Sequence, residues 1–163
     1  MDQSAFYGIV SGISFTLQGL WWVAVKDRRD LLAGTVQQRR TAYIVGLNFT
    51  ILATVSLFAQ VAPDVPAVWR LSFGTAGVIG AVGMAMLGLG LRHTAQLRTA
   101  GTLIAALGIP VYVAFTVVAL LSPAIARQGW SVRPIQIEAF LVAAMAFLGV
   151  QTAWVVGMTR PPT

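Results

Sequence analysis

The chain contains no cysteine, which excludes disulfides, thiolate nucleophiles, quinone-linked thiol oxidation and Cys-ligated metal or iron–sulfur centres. A single histidine, His93, removes any multi-histidine metal centre or bis-histidine haem site. Charge is scarce as well, at 10% of residues against about 25% in ordinary soluble domains. The sole lysine, Lys26, sits at the edge of an apolar run, so none lies inside such a run to hold retinal. No apolar run contains a histidine or an aspartate, and intramembrane proteolysis needs a Ser–His pair or two aspartates there. The glycines follow no phosphate-loop or dinucleotide fingerprint between a strand and a helix. These absences lead us to expect no enzymatic activity, no cofactor and no metal.

What the chain has in abundance is apolar surface. Hydrophobic residues make up 57% of the 163 residues, and the mean hydropathy is +0.78. The length suits one domain. Five apolar runs, at 5–25, 42–61, 68–91, 100–121 and 135–157, each have the roughly 20 residues needed to cross a hydrocarbon core about 30 Å thick. A backbone in lipid must satisfy its own hydrogen bonds, so each run is expected to be helical. The expected fold is therefore all-α: a polytopic integral membrane protein with five transmembrane helices and no extramembrane domain. The first run has no basic segment before it and no small-residue cleavage pattern. It is followed by Trp21, Trp22, Lys26, Arg28 and Arg29, so it reads as a retained span and not a signal peptide.

The net charge of +6 and the pI near 11.2 would suggest nucleic acid in a soluble protein. Here the basic residues sit between apolar runs, and their distribution reads as topology. Lys26, Arg28, Arg29, Arg39, Arg40, Arg92, Arg98 and Arg160 fall on one side with Asp27 and Asp30. Arg70, Arg127 and Arg133 fall on the other with Asp2, Asp64 and Glu138. All the net charge thus sits on one face, which the positive-inside rule assigns to the cytoplasm. That places the N-terminus outside and the C-terminus inside a plasma membrane. The abundance of Arg, Ala, Gly and Val suggests a prokaryotic source. Trp21, Trp22, Tyr43 and Trp154 are expected near the inner interface, and Tyr7, Trp69 and Trp130 near the outer one, where amphipathic rings partition.

Several polar residues interrupt the apolar runs. Tyr7, Ser11, Ser14 and Gln18 are spaced 4, 3 and 4, so they share one helical face. Such a face either bonds to neighbouring helices or lines a hydrated path. Gln18, Asn48 and Gln151 each lie eight or nine residues from a basic boundary, about 12–14 Å along a helix. They are expected to form one polar layer, either a mutual hydrogen-bond network or a constriction for an ion or small solute. Glu138 is the one acid within a run, near the outer end. It is expected to reach outer water or pair with Arg70, Arg127 or Arg133, or else to serve in cation attraction or proton coupling. Arg70 is expected to snorkel, and His93 to be solvated in an inner loop.

Gly74, Gly77, Ala81, Ala85 and Gly88 form a seam of small residues spaced 3, 4, 4 and 3. Such seams let helix backbones approach closely, within one chain or between copies. Pro110 falls inside the fourth run, where it removes one backbone hydrogen bond. Pro134 begins the fifth, where its missing N–H costs nothing.

Two functions fit this pattern. One is a homo-oligomeric ion channel or small-solute pore for transport, its path lined by the Tyr7–Gln18 face. The other is a non-transporting accessory or scaffolding subunit whose basic segment 26–40 binds anionic lipid or a partner protein. In either case the principal partner is the lipid bilayer and not nucleic acid.

Overall fold

The computed structural model describes residues 3–61, 65–128 and 133–158, apart from the side chains of Arg29, Asp30 and Ala95. The expectations placed on Asp2, Asp64, Trp130 and Arg160 lie outside the described residues. Six α-helices follow one another: α1 (Gln3–Lys26), the single-turn α2 (Arg29–Leu32), α3 (Val36–Val61), α4 (Pro66–Arg92), α5 (Arg98–Arg127) and α6 (Pro134–Met158). A 3-10 turn at Ala95–Leu97 joins α4 to α5. Five of the helices are long and apolar enough to cross a membrane, and no strand occurs among the described residues. The chain is built as a multi-pass, all-helical membrane protein.

The helices run beyond the apolar segments. α3 begins at Val36, six residues before its apolar run, because Thr35 and Gln38 close its first turn. The Thr35 N–H donates to the Gln38 side-chain carbonyl at 2.8 Å, and the Gln38 N–H donates to the Thr35 hydroxyl at 3.3 Å. This reciprocal capping satisfies two of the donors that a helix start leaves open. α6 has half of the same device, with the Arg133 N–H donating to the Gln136 side-chain carbonyl at 2.9 Å. α4 and α6 both open on proline, where no N–H is missed. α5 runs on to Arg127 and contains Pro123 as well as Pro110.

α3 is the most buried of the five long helices. It packs on α1, α4 and α6, while α4 packs most extensively on α5, and α5 on α6. The helices α3, α4, α5 and α6 thus close a four-membered ring, with α1 docked in the groove between α3 and α6. The small-residue seam lies inside this ring. A methyl group added at Gly88 would stand 2.6 Å from the Ala105 Cβ and 2.8 Å from the Gly101 carbonyl. Gly77 faces Thr116 and the Tyr112 backbone, and Gly74 faces Leu120. Those three glycines are buried, whereas Ala81 and Ala85 are only half-buried. α5 answers with its own small residues: Gly101 against Gly88 and Leu91, and Gly108 against Met84. Close approach gives the dispersion contacts that hold helices together in lipid, where burying apolar surface against a neighbour brings no hydrophobic gain.

Three of the aromatic residues expected near the interfaces are buried against neighbouring helices. Trp21 is buried, its indole N–H donating to the Ala42 carbonyl at 2.9 Å. Tyr7 is buried, and Trp69 packs edge-on against Phe73 at 5.8 Å. The polar tips of Trp21 and Tyr7 find partners in the protein, as buried amphipathic rings generally do. Trp22, Tyr43 and Trp154 remain exposed on the outside of the bundle. Arg70 is half-buried and does not simply extend to water; its Nε donates to the Ala119 carbonyl at 3.3 Å.

Candidate functional site

The polar face of α1 points into the groove between α3 and α6. Tyr7 donates its hydroxyl to the Ile135 carbonyl at 3.1 Å, and Ser11 donates to the Ala53 carbonyl at 3.1 Å. Ser14 is buried, and the half-buried Gln18 accepts from the Thr50 hydroxyl. Thr50 also donates to the Gly46 carbonyl at 3.1 Å, and Gly46 leaves room for the Trp22 ring. The opposite face of α1 carries Ile9, Ile13, Leu20 and Val23, all exposed. α1 is thus a helix with one polar side turned to protein and one apolar side left for lipid.

Asn48 lies at the centre of the bundle. Its side-chain carbonyl accepts from the Tyr112 hydroxyl, and its amide rests against Gly149 of α6. Its amide nitrogen has no hydrogen-bond partner among the described residues. Beside it a shallow cleft opens between α3 and α4, lined by Ile44, Leu47, Ile51, Gly83 and Met84.

The expected layer of three amides does not form. Gln18 bonds to Thr50, Asn48 bonds to Tyr112, and Gln151 is exposed on the outside of α6. The reason is helical geometry. The buried face of α6 is Glu138, Val142, Met145, Gly149, Thr152 and Val156, and at 100° per residue Gln151 lies about 220° around from Glu138. Thr152, its neighbour, occupies the inward position and donates to the Leu148 carbonyl at 2.6 Å.

Glu138 also departs from its expected setting. It has 0% exposure, and neither carboxylate oxygen has a hydrogen-bond partner among the described residues. It does not reach water. Arg70 is bonded to Ala119, Arg127 bonds through Nε to the Pro123 carbonyl at 3.3 Å, and Arg133 is exposed. The neighbourhood combines the buried Tyr7 with a ladder of rings, Tyr7 to Phe73 at 6.1 Å and Phe73 stacked on Phe115 at 4.8 Å.

At the opposite end of the bundle the cations gather. Lys26, Arg39, Arg40 and Arg98 are exposed there with His93 and Asp27. Arg28 is half-buried and donates to the Gly157 carbonyl at 2.7 Å, so a cation caps the last turn of α6, where the helix dipole favours it. No group of three or more metal-binding side chains occurs among the described residues.

Comparison with protein families, curated proteins and solved structures finds no match. Function therefore rests on the geometry above. Sequence reasoning singled out Tyr7, Ser11, Ser14, Gln18, Asn48 and Glu138, all of which turn inward or to a neighbouring helix. It missed Thr50, Ser56, Tyr112 and Thr152. A hydroxyl at i+4 from a carbonyl satisfies itself within its own helix, so the sequence gives little sign of which hydroxyl also reaches across.

Proposed function

We propose that the protein is a non-catalytic, non-transporting membrane subunit whose basic end engages anionic lipid headgroups. The observation that carries this reading is the cluster of exposed cations, Lys26, Arg39, Arg40 and Arg98, at one end of the bundle. Cations close to an anionic leaflet contribute about 1 kcal/mol each. By the positive-inside rule that end faces the cytoplasm, with the N-terminus outside and the C-terminus inside.

The packing of α1 favours this reading over a pore formed by several copies. Tyr7, Ser11 and Gln18 already have partners within the chain. Lining a path would require α1 to leave α3 and α6 and break those bonds. The α4 seam is likewise occupied by α5, so it does not offer a ready interface to another copy.

The test is lipid retention after purification from mixed phosphatidylglycerol and phosphatidylcholine, measured by mass spectrometry. Selective retention of phosphatidylglycerol is expected, and its loss in a triple variant carrying Lys26→Gln, Arg39→Gln and Arg40→Gln. Equal retention of both lipids overturns the lipid reading and turns the basic end toward an acidic protein partner. Ion flux in proteoliposomes that falls when Ser14 or Gln18 becomes Leu overturns the proposal as a whole.

A further inference from the structure

Glu138 is an acid that the proposed function does not use, and it lies at the end of the bundle opposite the basic cluster. A carboxylate enclosed without donors is costly by several kcal/mol, and an ionisable residue in a membrane span is a site until shown otherwise. A second buried oxygen lies within about one helical turn of its level. Ser56 of α3 has 0% exposure, and its hydroxyl has no hydrogen-bond partner among the described residues. The register follows from Asn48 lying against Gly149. Ser56 is eight residues beyond Asn48 and Glu138 eleven before Gly149, and α3 runs antiparallel to α6. Their levels therefore differ by about three residues, or roughly 4.5 Å along the axis.

Among the described residues no cation is hydrogen-bonded to Glu138. From α1 the titratable neighbour is Tyr7, whose hydroxyl donates to the Ile135 carbonyl one turn before Glu138. From α3 come Ser56 and Gln60, both uncharged, with the Gln60 amide lying against Gly8. From α5 the buried residues at this end are Phe115, Ala119 and Ser122. Arg70 of α4 and Arg127 of α5 are held on backbone carbonyls.

We propose that Glu138 is the centre of a monovalent-cation site, filled by a proton or an alkali-metal ion, with the Ser56 hydroxyl as its second oxygen. One carboxylate balances one positive charge, whereas a divalent ion would leave a charge uncompensated in the interior. An occupant here ties α6 to α3 next to the docking face of α1.

The experiment is chemical labelling of the full chain in nanodiscs, mapped by peptide mass. Dicyclohexylcarbodiimide enters lipid and reacts with a carboxyl that carries a proton, while a water-soluble carbodiimide reports carboxyls exposed to solvent. The expected result is label on Glu138 from the lipid-soluble reagent alone, and label on the exposed Asp27 from the water-soluble one. Sodium chloride is then compared with N-methylglucamine chloride at the same ionic strength. Slower labelling of Glu138 in sodium identifies an alkali ion as occupant, and an unchanged rate identifies the proton; either supports the site. Ser56→Ala is expected to alter the labelling rate, and Ser72→Ala, whose hydroxyl donates to Trp69 within α4, is not. Label on Glu138 from the water-soluble reagent, or none from the lipid-soluble one, overturns the proposal. The label is mapped on the parent chain, so the assignment holds even if Glu138→Gln, the unlabelled control, folds poorly.

Discussion

The Tyr112 hydroxyl donates to the Asn48 side-chain carbonyl across the diagonal of the helix ring. The backbones of α3 and α5 do not pack on each other, so this bond spans a gap that main-chain contact leaves open. The ring of Tyr112 passes directly over Gly80, where any side chain would obstruct it. One glycine on α4 thus permits a polar bond between its two neighbours.

Tyr112→Phe removes the hydroxyl and leaves the Asn48 carbonyl unpartnered. Interhelical hydrogen bonds in membranes average about 0.6 kcal/mol, up to about 1.7, and a stranded buried acceptor adds a cost of about 1–3 kcal/mol. A loss of about 2–4 kcal/mol is expected in reversible unfolding from mixed micelles. A double variant that also carries Asn48→Leu should recover part of that loss, since neither group is then left unpaired. A fully additive loss would show that the two residues do not interact.

Glycines on the α4–α5 seam should separate sharply from those on the lipid face. Gly88→Ala forces a methyl group against Ala105 and the Gly101 carbonyl, and overpacking of this kind costs about 1–3 kcal/mol. Gly12→Ala meets nothing within 4 Å and should unfold like the parent. Thermal unfolding in detergent, monitored by circular dichroism, distinguishes the two.

Trp21 and Trp22 are adjacent in sequence and opposite in role. Trp21→Phe loses the bond to the Ala42 carbonyl and should destabilise the α1–α3 contact by about 0.6–1.7 kcal/mol. Trp22 is partly exposed, with its ring edge over Gly46 and no hydrogen bond among the described residues to lose in the change, so Trp22→Phe should cost less than Trp21→Phe. Fluorescence quenching by brominated lipid should be strong for Trp22 and weak for Trp21.

Much of the fold can be read from the chain because lipid leaves few choices. Five runs of apolar residues must be helices, and the spacing of Tyr7, Ser11, Ser14 and Gln18 defines a face of α1 without reference to any neighbour. Direction is harder where a helix is apolar all round, as α6 is. Its sequence offers Glu138 and Gln151 as polar markers, but only one of them can face the interior. Taking Glu138 as the inward mark leads at spacings of 4, 3, 4, 3 and 4 through Val142, Met145, Gly149, Thr152 and Val156. The Trp21 and Tyr7 placements were illegible for a related reason. An amphipathic ring is satisfied equally by a headgroup or by a carbonyl on the next helix, and composition does not say which lies within reach.

The basic end should respond to salt as well as to lipid. Exposed charges are screened over about 8 Å at physiological ionic strength, so retention of phosphatidylglycerol should fall as sodium chloride rises. The bonds that hold Trp21 and Tyr7 are internal and should not respond. Lipid retention and thermal stability, followed in parallel across a salt series, should therefore diverge.

A closed bundle requires the polar side of α1 to be sealed against its neighbours. The chain has no native cysteine, so single cysteines can be placed at will and probed with a membrane-impermeant thiol reagent in reconstituted vesicles. Cysteine at position 14, where Ser14 is 2% exposed, should stay unmodified from either side, while cysteine at the exposed position 35 should react from the basic side. Rapid modification at position 14 would mean that water runs along α1, and would contradict a bundle closed around its own polar residues.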